Sequence, residues 1–486
     1  MLLTSAYPAL LLAVLALWAA CAPAALGRLR RRLAAAEPAT AFLLVALVLA
    51  ALALRAAHPA AHRVFDDEFE HLDAARRISS QGIYGVAVTG GRPDWSVYAA
   101  PTWPAGHHAA LAAWMLVAGP TAAAAKLWSA LLSALALLLI FWATWEAFDD
   151  QHAALAAVFA WAALPLAARY AAACDLTSSS LFWSAAALAA IHARERAPSA
   201  GLDAFASLTL LYAVQVRPEN AVLIFYFFAV CSRRILVLPA VLGALIPASI
   251  ALSNHAQAVA GYAAADFAPL TYLLSHIRPD LMFLFSLPVF TPLALAVAVS
   301  VRRPKIMPLA LLSAAYFVLY ACFFRGDFSR GAEDRYALSV LLPLAVAAAG
   351  GLAAVARPAV LLFLILGFIS PPPAEPVEHE RARRLLAAAA ASLDAKTVVI
   401  GFNASKLLET AHRPAASAYF VLEDFEGFKR SLTGAGAGPA LALWKDWGYR
   451  YRRADGERLE KLLSKRCAAS VVARDGDDEL VIFTPR

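Results

Sequence analysis

The stretch VFDDEFEHLDAARRI, residues 64–78, decides the architecture, because it places an acidic helical pattern beside a long apolar run. Its apolar residues, among them Phe69 and Leu72, recur at helical spacing and predict an amphipathic helix with one face on lipid or protein. The opposite face is acidic, and Asp66 or Asp67 is well placed to cap the helix. A capped helix with a solvated charged face would explain the stretch by itself, whereas its position next to a membrane span favours a functional site.

The composition is that of a polytopic membrane protein. Hydrophobic residues make up 61% and charged residues 16% of the 486 residues, whereas soluble domains have roughly 45–50% and about 25%. The net charge is +7, but the arginine clusters fall in short loops between apolar runs, where they set topology and do not indicate nucleic-acid binding. The five cysteines are scattered and show no spacing typical of a zinc site or a disulfide framework.

Apolar runs recur along the chain and predict about 12 transmembrane helices. The predicted spans are residues 4–26, 38–57, 121–147, 151–170, 176–193, 202–216, 218–231, 235–252, 281–300, 306–324, 336–356 and 358–371. The run AGHHAALAAWMLVAG is too short for a span, so we expect a re-entrant or interfacial helix. With that run left out, the loops RLRRR, HARER, SRR and VRRPK share one side of the membrane, as the positive-inside rule requires, and the acidic loops share the other.

Two domains are predicted. They are a transmembrane domain, residues 1–372, with an outer loop at about residues 58–104, and a soluble domain, residues 373–486. After the proline-rich segment PPPAEP, the strand-like runs TVVIGF, SAYFVL, ALALW, ASVVAR and ELVIF alternate with helical patterns, which predicts a small α/β domain whose first helix is capped by Asn403. We expect an integral protein of a bacterial or archaeal inner membrane, with the loop and this domain extracytoplasmic.

Ionisable residues at the predicted outer boundary are candidate binding residues, because charge near hydrocarbon is costly. The segment RPEN, with Arg217 and Glu219, interrupts an apolar run and predicts an unwound helix pair that faces a cavity. Arg330, Arg335 and Tyr336 crowd the segment RGDFSRGAEDRY at the outer end of another pair of spans. These arginines oppose the positive-inside trend, so they either bind an anion or pair with the acidic residues of their own segment. The sequence leaves both explanations open.

Three segments resemble a known family. DEFEH is similar to the first-loop signature of the C-type (GT-C) integral-membrane glycosyltransferases, which include protein O-mannosyltransferases and lipid A aminoarabinose transferases. RPEN and EDRYALSVLLPL also resemble family features, the second an ERY-L-LP run that begins a late span. In layout the resemblance covers residues 38–371. The chain departs from the pattern in an extra leading span and in PTWPAGHH, which stands where the family has HPP.

The resemblance implies an inverting transferase that moves a sugar from a polyprenyl-phosphate donor to a hydroxyl of a lipid, glycan or protein acceptor at the outer face. It implies that Asp67, or else Asp66, is the general base that takes the acceptor's proton. Glu68 or His71 then orients the base or the acceptor. The implied substrate-binding residues are His71, Arg217, Glu219, Arg330, Arg335 and Tyr336, of which the arginines would bind the phosphate. The other expected partner is membrane lipid.

No cofactor is expected. The carboxylates of Asp66, Asp67, Glu68 and Glu70 are possible ligands of a divalent cation, but neighbouring residues of a helix point in different directions and a monophosphate donor has no pyrophosphate to neutralise. A metal site is therefore not favoured. The competing hypothesis is a transporter or flippase for a lipid-linked or anionic substrate. Against it, the sequence shows no internal repeat, and its charges gather at the outer boundary instead of the midplane.

Overall fold

The chain forms two compact units. A computed structural model describes residues 2–56, 65–90, 97–99, 103–231, 269–323, 326–329, 331–369, 387, 391, 393–434, 440–446, 449 and 452–485. Unit 1 comprises Met1–Arg63 and Thr102–Ala374, and unit 2 comprises Val64–Pro101 and Glu375–Arg486. Most of the predicted outer loop therefore belongs to the same compact unit as the C-terminal residues, whereas the sequence placed it with the transmembrane spans.

Unit 1 is built from helices. Numbered along the whole chain, they are α1 (Leu2–Ala34), α2 (Pro38–Ala56), α4 (Gly106–Ala118), α5 (Ala122–Phe148), α6 (Gln151–Ala162), α7 (Pro165–Tyr170), α8 (Leu176–Arg196), α9 (Ala200–Val216), α10 (Val222–Val230), α11 (Pro269–Ser286), α12 (Phe290–Ser300), α13 (Ile306–Ala321), α14 (Ala337–Gly351) and α15 (Ala356–Ile369). Short 3₁₀ helices occupy Pro218–Ala221, Gly331–Tyr336 and Ala353–Val355.

Among the described residues, two helices are long and apolar enough to cross a membrane. They are Ala6–Ala34 of α1 and the whole of α5, and a third span results if α11 and α12, which meet at an angle of 103°, are counted as one. Four of the other predicted spans correspond to shorter apolar helices, which are Pro38–Ala53, Ala200–Val216, Pro218–Val230 and Ile306–Ala321. The span predicted at 235–252 lies outside the described residues. The helical membrane fold is therefore supported, while the number of about 12 spans stays a prediction.

Local sequence explains where several helices begin and break. A side chain accepts a hydrogen bond from a first-turn backbone N–H at the start of α5, α6, α8 and α9, and these caps are Thr121, Asp150, Asp175 and Ser199. The predicted span at 151–170 is two helices, because Pro165 has no N–H to continue α6 and instead begins α7. Helix α4 has 13 residues, a length of about 20 Å, so it is shorter than the roughly 30 Å hydrocarbon core.

The ends of α1, α5 and α8 meet around one carboxylate. Glu146 is fully buried, and Arg28 donates to its two oxygens at 2.8 and 2.6 Å. Arg32 donates to the same oxygens at 3.3 Å, and Arg196 pairs with the neighbouring Asp149 at 2.8 Å. These contacts confirm that the basic segments RLRRR and HARER lie at one end of unit 1. We call this group of residues the Glu146 cluster.

Unit 2 is an α/β structure around a seven-stranded sheet. Its strands are β1 (Val86–Gly90), β2 (Val97–Ala99), β3 (Val398–Gly401), β4 (Ala415–Ser417), β5 (Leu441–Lys445), β6 (Cys467–Asp475) and β7 (Asp478–Pro485), in the order β2-β1-β4-β3-β5-β7-β6. β3 is parallel to β4 and β5, and the other neighbours are antiparallel. Thr89 lies opposite Ala416, so the outer loop completes the sheet of the C-terminal residues.

The helices of unit 2 cover both faces of this sheet. They are α3 (Phe65–Gln81), α16 (Ala404–Ala411), α17 (Ala418–Glu423), α18 (Phe425–Gly434) and α19 (Arg453–Ser464). Alternate strand residues face opposite sides, so Val399 and Trp444 belong to one hydrophobic cluster and Ile400 and Leu443 to another. Phe69 packs in the first of these clusters. The predicted apolar face of the acidic helix therefore rests on protein, against strands from the C-terminal residues.

Most predicted elements of the C-terminal region are confirmed. Asn403 caps α16 by accepting a hydrogen bond from Lys406 N, and β6 and β7 form the closing hairpin, with Gly476 at φ 63° in its turn. The predicted strand SAYFVL is wrong beyond its first residue, because α17 begins at Ala418. Ala418 and Val421 are the buried residues of this segment, at a helical spacing of three, so packing against the core favours a helix.

Candidate active site

The acidic segment folds as helix α3, which begins at Phe65. The predicted cap is therefore wrong, because Asp66 and Asp67 lie inside the first turn instead of before it. Carboxylates in a first turn are stabilised by the positive end of the helix dipole. Asp67 is partly buried, and the side chain of Asp66 lies outside the described part of the structure.

Glu68 and His71 are buried on the same helix, each with 1% of its surface exposed. A solvated charged face does not describe these two positions. Because an ionisable group loses hydration when it is buried, such positions are rare unless they carry a specific polar role. One short segment of α3 in unit 2 thus contains two carboxylates and an imidazole, which are the side chains of Asp67, Glu68 and His71.

A row of polar contacts joins α3 to α16. The contacts are Asn403 Nδ2 to Glu70 Oε1 at 3.1 Å, Ser405 Oγ to Asp73 Oδ2 at 3.1 Å, and Arg76 Nη1 to Glu409 Oε2 at 2.6 Å. Asp73 also pairs with Arg77, one turn further along α3, at 3.0 Å. The acidic helix is therefore attached to the C-terminal residues by polar as well as apolar contacts.

The RPEN segment breaks the helix as predicted. Helix α9 ends at Val216, Arg217 has extended backbone, and a 3₁₀ helix follows from Pro218. Asn220 holds the break, because its amide oxygen accepts hydrogen bonds from Ser184 at 3.1 Å and Tyr316 at 3.0 Å. Its amide nitrogen donates to Ser180 and to the carbonyl of Ala213.

Arg217 is a buried cation with an aromatic neighbour. Arg217 has 5% of its surface exposed. Its guanidinium carbon lies 4.9 Å from the ring centroid of Tyr336. Arg335 approaches the same ring at 5.4 Å, and Tyr320 stacks on it at 4.8 Å. Within the described residues, no carboxylate oxygen lies within 4.0 Å of the Arg217 guanidinium. We call Arg217, Arg335 and Tyr336 the Tyr336 cluster.

Arg335 has carboxylate partners. It pairs with Asp175 at 3.4 Å and with Glu333 at 3.9 Å. Of the two explanations left open by the sequence, pairing with its own segment thus holds in part, but the nearer partner is the capping aspartate of α8. Glu219, the remaining described binding candidate of unit 1, is partly buried, and its Oε2 accepts no hydrogen bond within the described residues.

Arg169 is a residue that the sequence reasoning missed. It pairs with Asp334 at 2.9 Å, and the hydroxyl of Tyr170 donates to the same carboxylate. The signal was present, because Arg169 lies at the predicted outer end of a span and so opposes the positive-inside trend, as Arg335 does. Lys126 of α5 is also buried, with 2% of its surface exposed.

The structure groups the predicted residues by unit. Asp67, Glu68 and His71 come together on α3 of unit 2, while Arg217, Arg335 and Tyr336 come together in unit 1. Arg330 lies outside the described residues. In the part of the chain that is described, no three histidine, cysteine or acidic side chains converge as metal ligands would.

The fold is similar to that of solved structures of another protein. No protein-family model matches the sequence, and no curated protein matches it. The structure of ArnT from Cupriavidus metallidurans in the apo state matches with a TM-score of 0.58 at 14% identity, and that of the same protein bound to undecaprenyl phosphate matches with 0.56 at 15% identity. Each alignment covers 92% of this chain and 98% of the other. At this identity the likeness shows a shared fold, in agreement with the fold that the sequence resemblance implied.

Proposed function

We propose that the protein is an inverting GT-C glycosyltransferase. It transfers a hexose or pentose from a polyprenyl-phosphate donor to a hydroxyl of a lipid, glycan or protein acceptor, at the outer face of a bacterial or archaeal inner membrane. The shared fold with ArnT, whose structure holds undecaprenyl phosphate, supports the donor class. The acidic first-loop helix supports the chemistry.

The observation that carries the proposal is the buried guanidinium of Arg217 in the Tyr336 cluster. A buried charge is destabilising unless an opposite charge or hydrogen-bond acceptors offset its lost hydration. Arg217 has an aromatic face beside it but no carboxylate within 4.0 Å among the described residues. Glu219 acts on Arg217 only from beyond this distance. A phosphate group would supply an anion in direct contact, because the planar guanidinium binds two phosphate oxygens at once.

The reaction in this proposal is a single displacement. Asp67 accepts the proton of the acceptor hydroxyl as that oxygen attacks the anomeric carbon. The bond between the anomeric carbon and the phosphate oxygen breaks, and its electron pair goes to the lipid phosphate. Arg217 stabilises the charge that develops there. Attack opposite the leaving group inverts the anomeric carbon without a covalent sugar–enzyme intermediate.

The test is release of the lipid carrier. The full-length protein in lipid nanodiscs is incubated with undecaprenyl-phosphate-linked hexoses and pentoses, with lipid, glycan and protein fractions of bacterial and archaeal membranes as acceptors. Undecaprenyl phosphate is measured by mass spectrometry. Asp67→Asn keeps size and hydrogen bonding but removes the base, so we expect a loss of about 10²–10⁴-fold. Glu457→Gln, on an exposed carboxylate of the same unit, is the matched control and should retain the rate.

Each outcome decides a point. If wild-type protein releases no undecaprenyl phosphate from any of these donors, the transferase proposal is overturned. If Asp67→Asn is as active as wild type while Asp66→Asn is inactive, the base is Asp66 instead. A transporter would tolerate Asp67→Asn or lose only flux, with the sugar–phosphate bond intact throughout.

A further inference from the structure

The contacts between α3 and α16 form a stripe along one side of the acidic helix. On α3 the bonded residues are Glu70, Asp73 and Arg76, at a spacing of three. Such residues lie on neighbouring positions of one helix face. All three contacts are directional hydrogen bonds or ion pairs, so together they fix the rotation of α3 about its own axis as well as its distance from α16.

Helix α16 is itself firmly held. Leu407 is fully buried in the hydrophobic cluster that also contains Phe69. Lys406 and Asp446 form a buried ion pair that joins α16 to the end of β5. Asp73 extends the connection, since it also accepts a hydrogen bond from Ala87 N of β1 at 2.7 Å. The acidic helix therefore takes its orientation from a rigid base.

Asn403 makes two bonds with one side chain. Its Oδ1 accepts from Lys406 N at 2.9 Å, which caps α16, and its Nδ2 donates to Glu70 at 3.1 Å. Serine or aspartate would cap a helix equally well. Only an amide carries the acceptor for the cap and an N–H donor for a carboxylate in the same group. The second bond is thus the one that depends on asparagine.

The stripe lies close to the proposed base. At 100° per residue, Asp67 is about 60° around α3 from Glu70 and one turn away from its level. Proton transfer requires the base within about 2.6–3.2 Å of the hydroxyl, and catalytic groups must be held within about 10–20° of their productive geometry. A modest rotation of α3 would therefore move the Asp67 carboxylate out of reach.

We infer that α16 orients Asp67 for catalysis and that Asn403 is a positioning residue, acting through its bond to Glu70. The inference rests on the proposed function, since it concerns the rate of the same sugar transfer. It assigns the C-terminal residues a role in the chemical step in addition to the shape of unit 2.

Two variants separate the cap from the bond to Glu70. Asn403→Ser and Asn403→Asp both keep a capping oxygen, but the first removes the donor and the second places a carboxylate opposite Glu70. Loss of a hydrogen bond to a charged group predicts that kcat falls about tenfold or more, with the larger loss in Asn403→Asp. We expect the KM for undecaprenyl-phosphate-linked sugar to change less than about twofold, and the melting temperature to stay near that of wild type.

A double variant provides the rescue. In N403D/E70Q the donor and acceptor exchange places, so the amide at position 70 donates to the carboxylate at position 403. We expect kcat to return to within about threefold of wild type, because the contact is restored. A loss of kcat that follows the melting temperature and is not rescued would indicate a merely structural role and would overturn the inference.

Amide hydrogen exchange of α3 distinguishes failure of this inference from failure of the proposed function. Asn403→Ser should increase exchange across residues 65–81 in the full-length protein, and N403D/E70Q should restore protection. If wild type is active and both single variants keep its kcat, the positioning role is wrong and the transferase proposal stands. If wild type is inactive, the transferase proposal fails and so does the catalytic role of Asn403, whatever the exchange data show about the contact.

Discussion

Arginines at the two ends of unit 1 differ in their contacts with carboxylates. Helix α8 begins at the Asp175 cap and ends at Arg196, so it connects the Tyr336 cluster to the Glu146 cluster. In the Glu146 cluster, Arg28 and Arg32 of α1 donate to the same buried carboxylate, and Arg196 of α8 donates to the backbone carbonyl of Glu146. In the Tyr336 cluster, Arg217 lies on an aromatic ring, without a carboxylate within 4.0 Å among the described residues.

The difference separates two uses of a buried charge. A guanidinium that is already paired with a carboxylate holds helices together. Because its charge is already neutralised, it attracts an anionic ligand only weakly. A guanidinium that is desolvated and has no carboxylate within ion-pair distance keeps more of its charge available to an anion that makes direct contact. The first arrangement therefore contributes to folding, and the second is the one that we propose binds an anion.

Removal of Glu146 should produce the largest effect. Glu146→Gln leaves several arginines around a buried site without their carboxylate, and loss of one partner of a buried pair costs about 3–5 kcal/mol of unfolding free energy. Equilibrium unfolding in mixed SDS micelles measures this change. Asp149→Asn is the matched control, because its side chain shares Arg32 and Arg196 but is 57% exposed, so its cost should stay below about 1 kcal/mol. Equal stability of Glu146→Gln and wild type would contradict the comparison.

Replacement of Arg217 should affect activity instead of stability. Arg217→Gln removes a charge that lacks a carboxylate partner, so the unfolding free energy should be unchanged or raised. Release of undecaprenyl phosphate should fall about 10–100-fold, the equivalent of about 1.5–3 kcal/mol for a charged hydrogen bond. Arg217→Lys keeps the charge without the planar group and should be intermediate. A stability loss like that of Glu146→Gln, with activity retained, would remove the distinction between the two clusters.

The smallest effect is expected at the ring that supports Arg217. A buried cation–π contact contributes about 2 kcal/mol at most, so Tyr336→Leu should weaken binding of undecaprenyl phosphate by about 5–30-fold, as measured by calorimetry in nanodiscs. Tyr336→Phe keeps the aromatic face and should bind within about twofold of wild type. If the phenylalanine variant binds as weakly as the leucine variant, the hydroxyl and not the ring is the important group.

Local patterns were sufficient to predict local structure. The spacing of Phe69 and Leu72 predicted α3 and its apolar face, and Asn403 predicted the start of α16. The helix break at Arg217 followed from polar residues in an apolar run. In each case the pattern that carries the prediction lies within a few neighbouring residues, where the sequence itself records it.

Long-range pairings could not be predicted in this way. β1 pairs with β4 because Thr89 meets Ala416, and Arg335 meets Asp175 across 160 positions of sequence. Neither contact leaves a periodic signal in its own segment. The same limit explains the error at SAYFVL, where an apolar run of that length is compatible with strand or helix and only the surrounding core decides.

The shared sheet of unit 2 also governs when the protein matures during translation. β1 is synthesised before β4, and Phe69 is synthesised before Leu480. Neither can make its final contact until the later residues have been synthesised. At about 5–20 residues per second, roughly 20–80 s of synthesis separate Ala99 from Pro485. A ribosome-bound chain therefore exposes an incompletely packed acidic helix, and we expect α3 to reach its final packing only after the last strand has been synthesised.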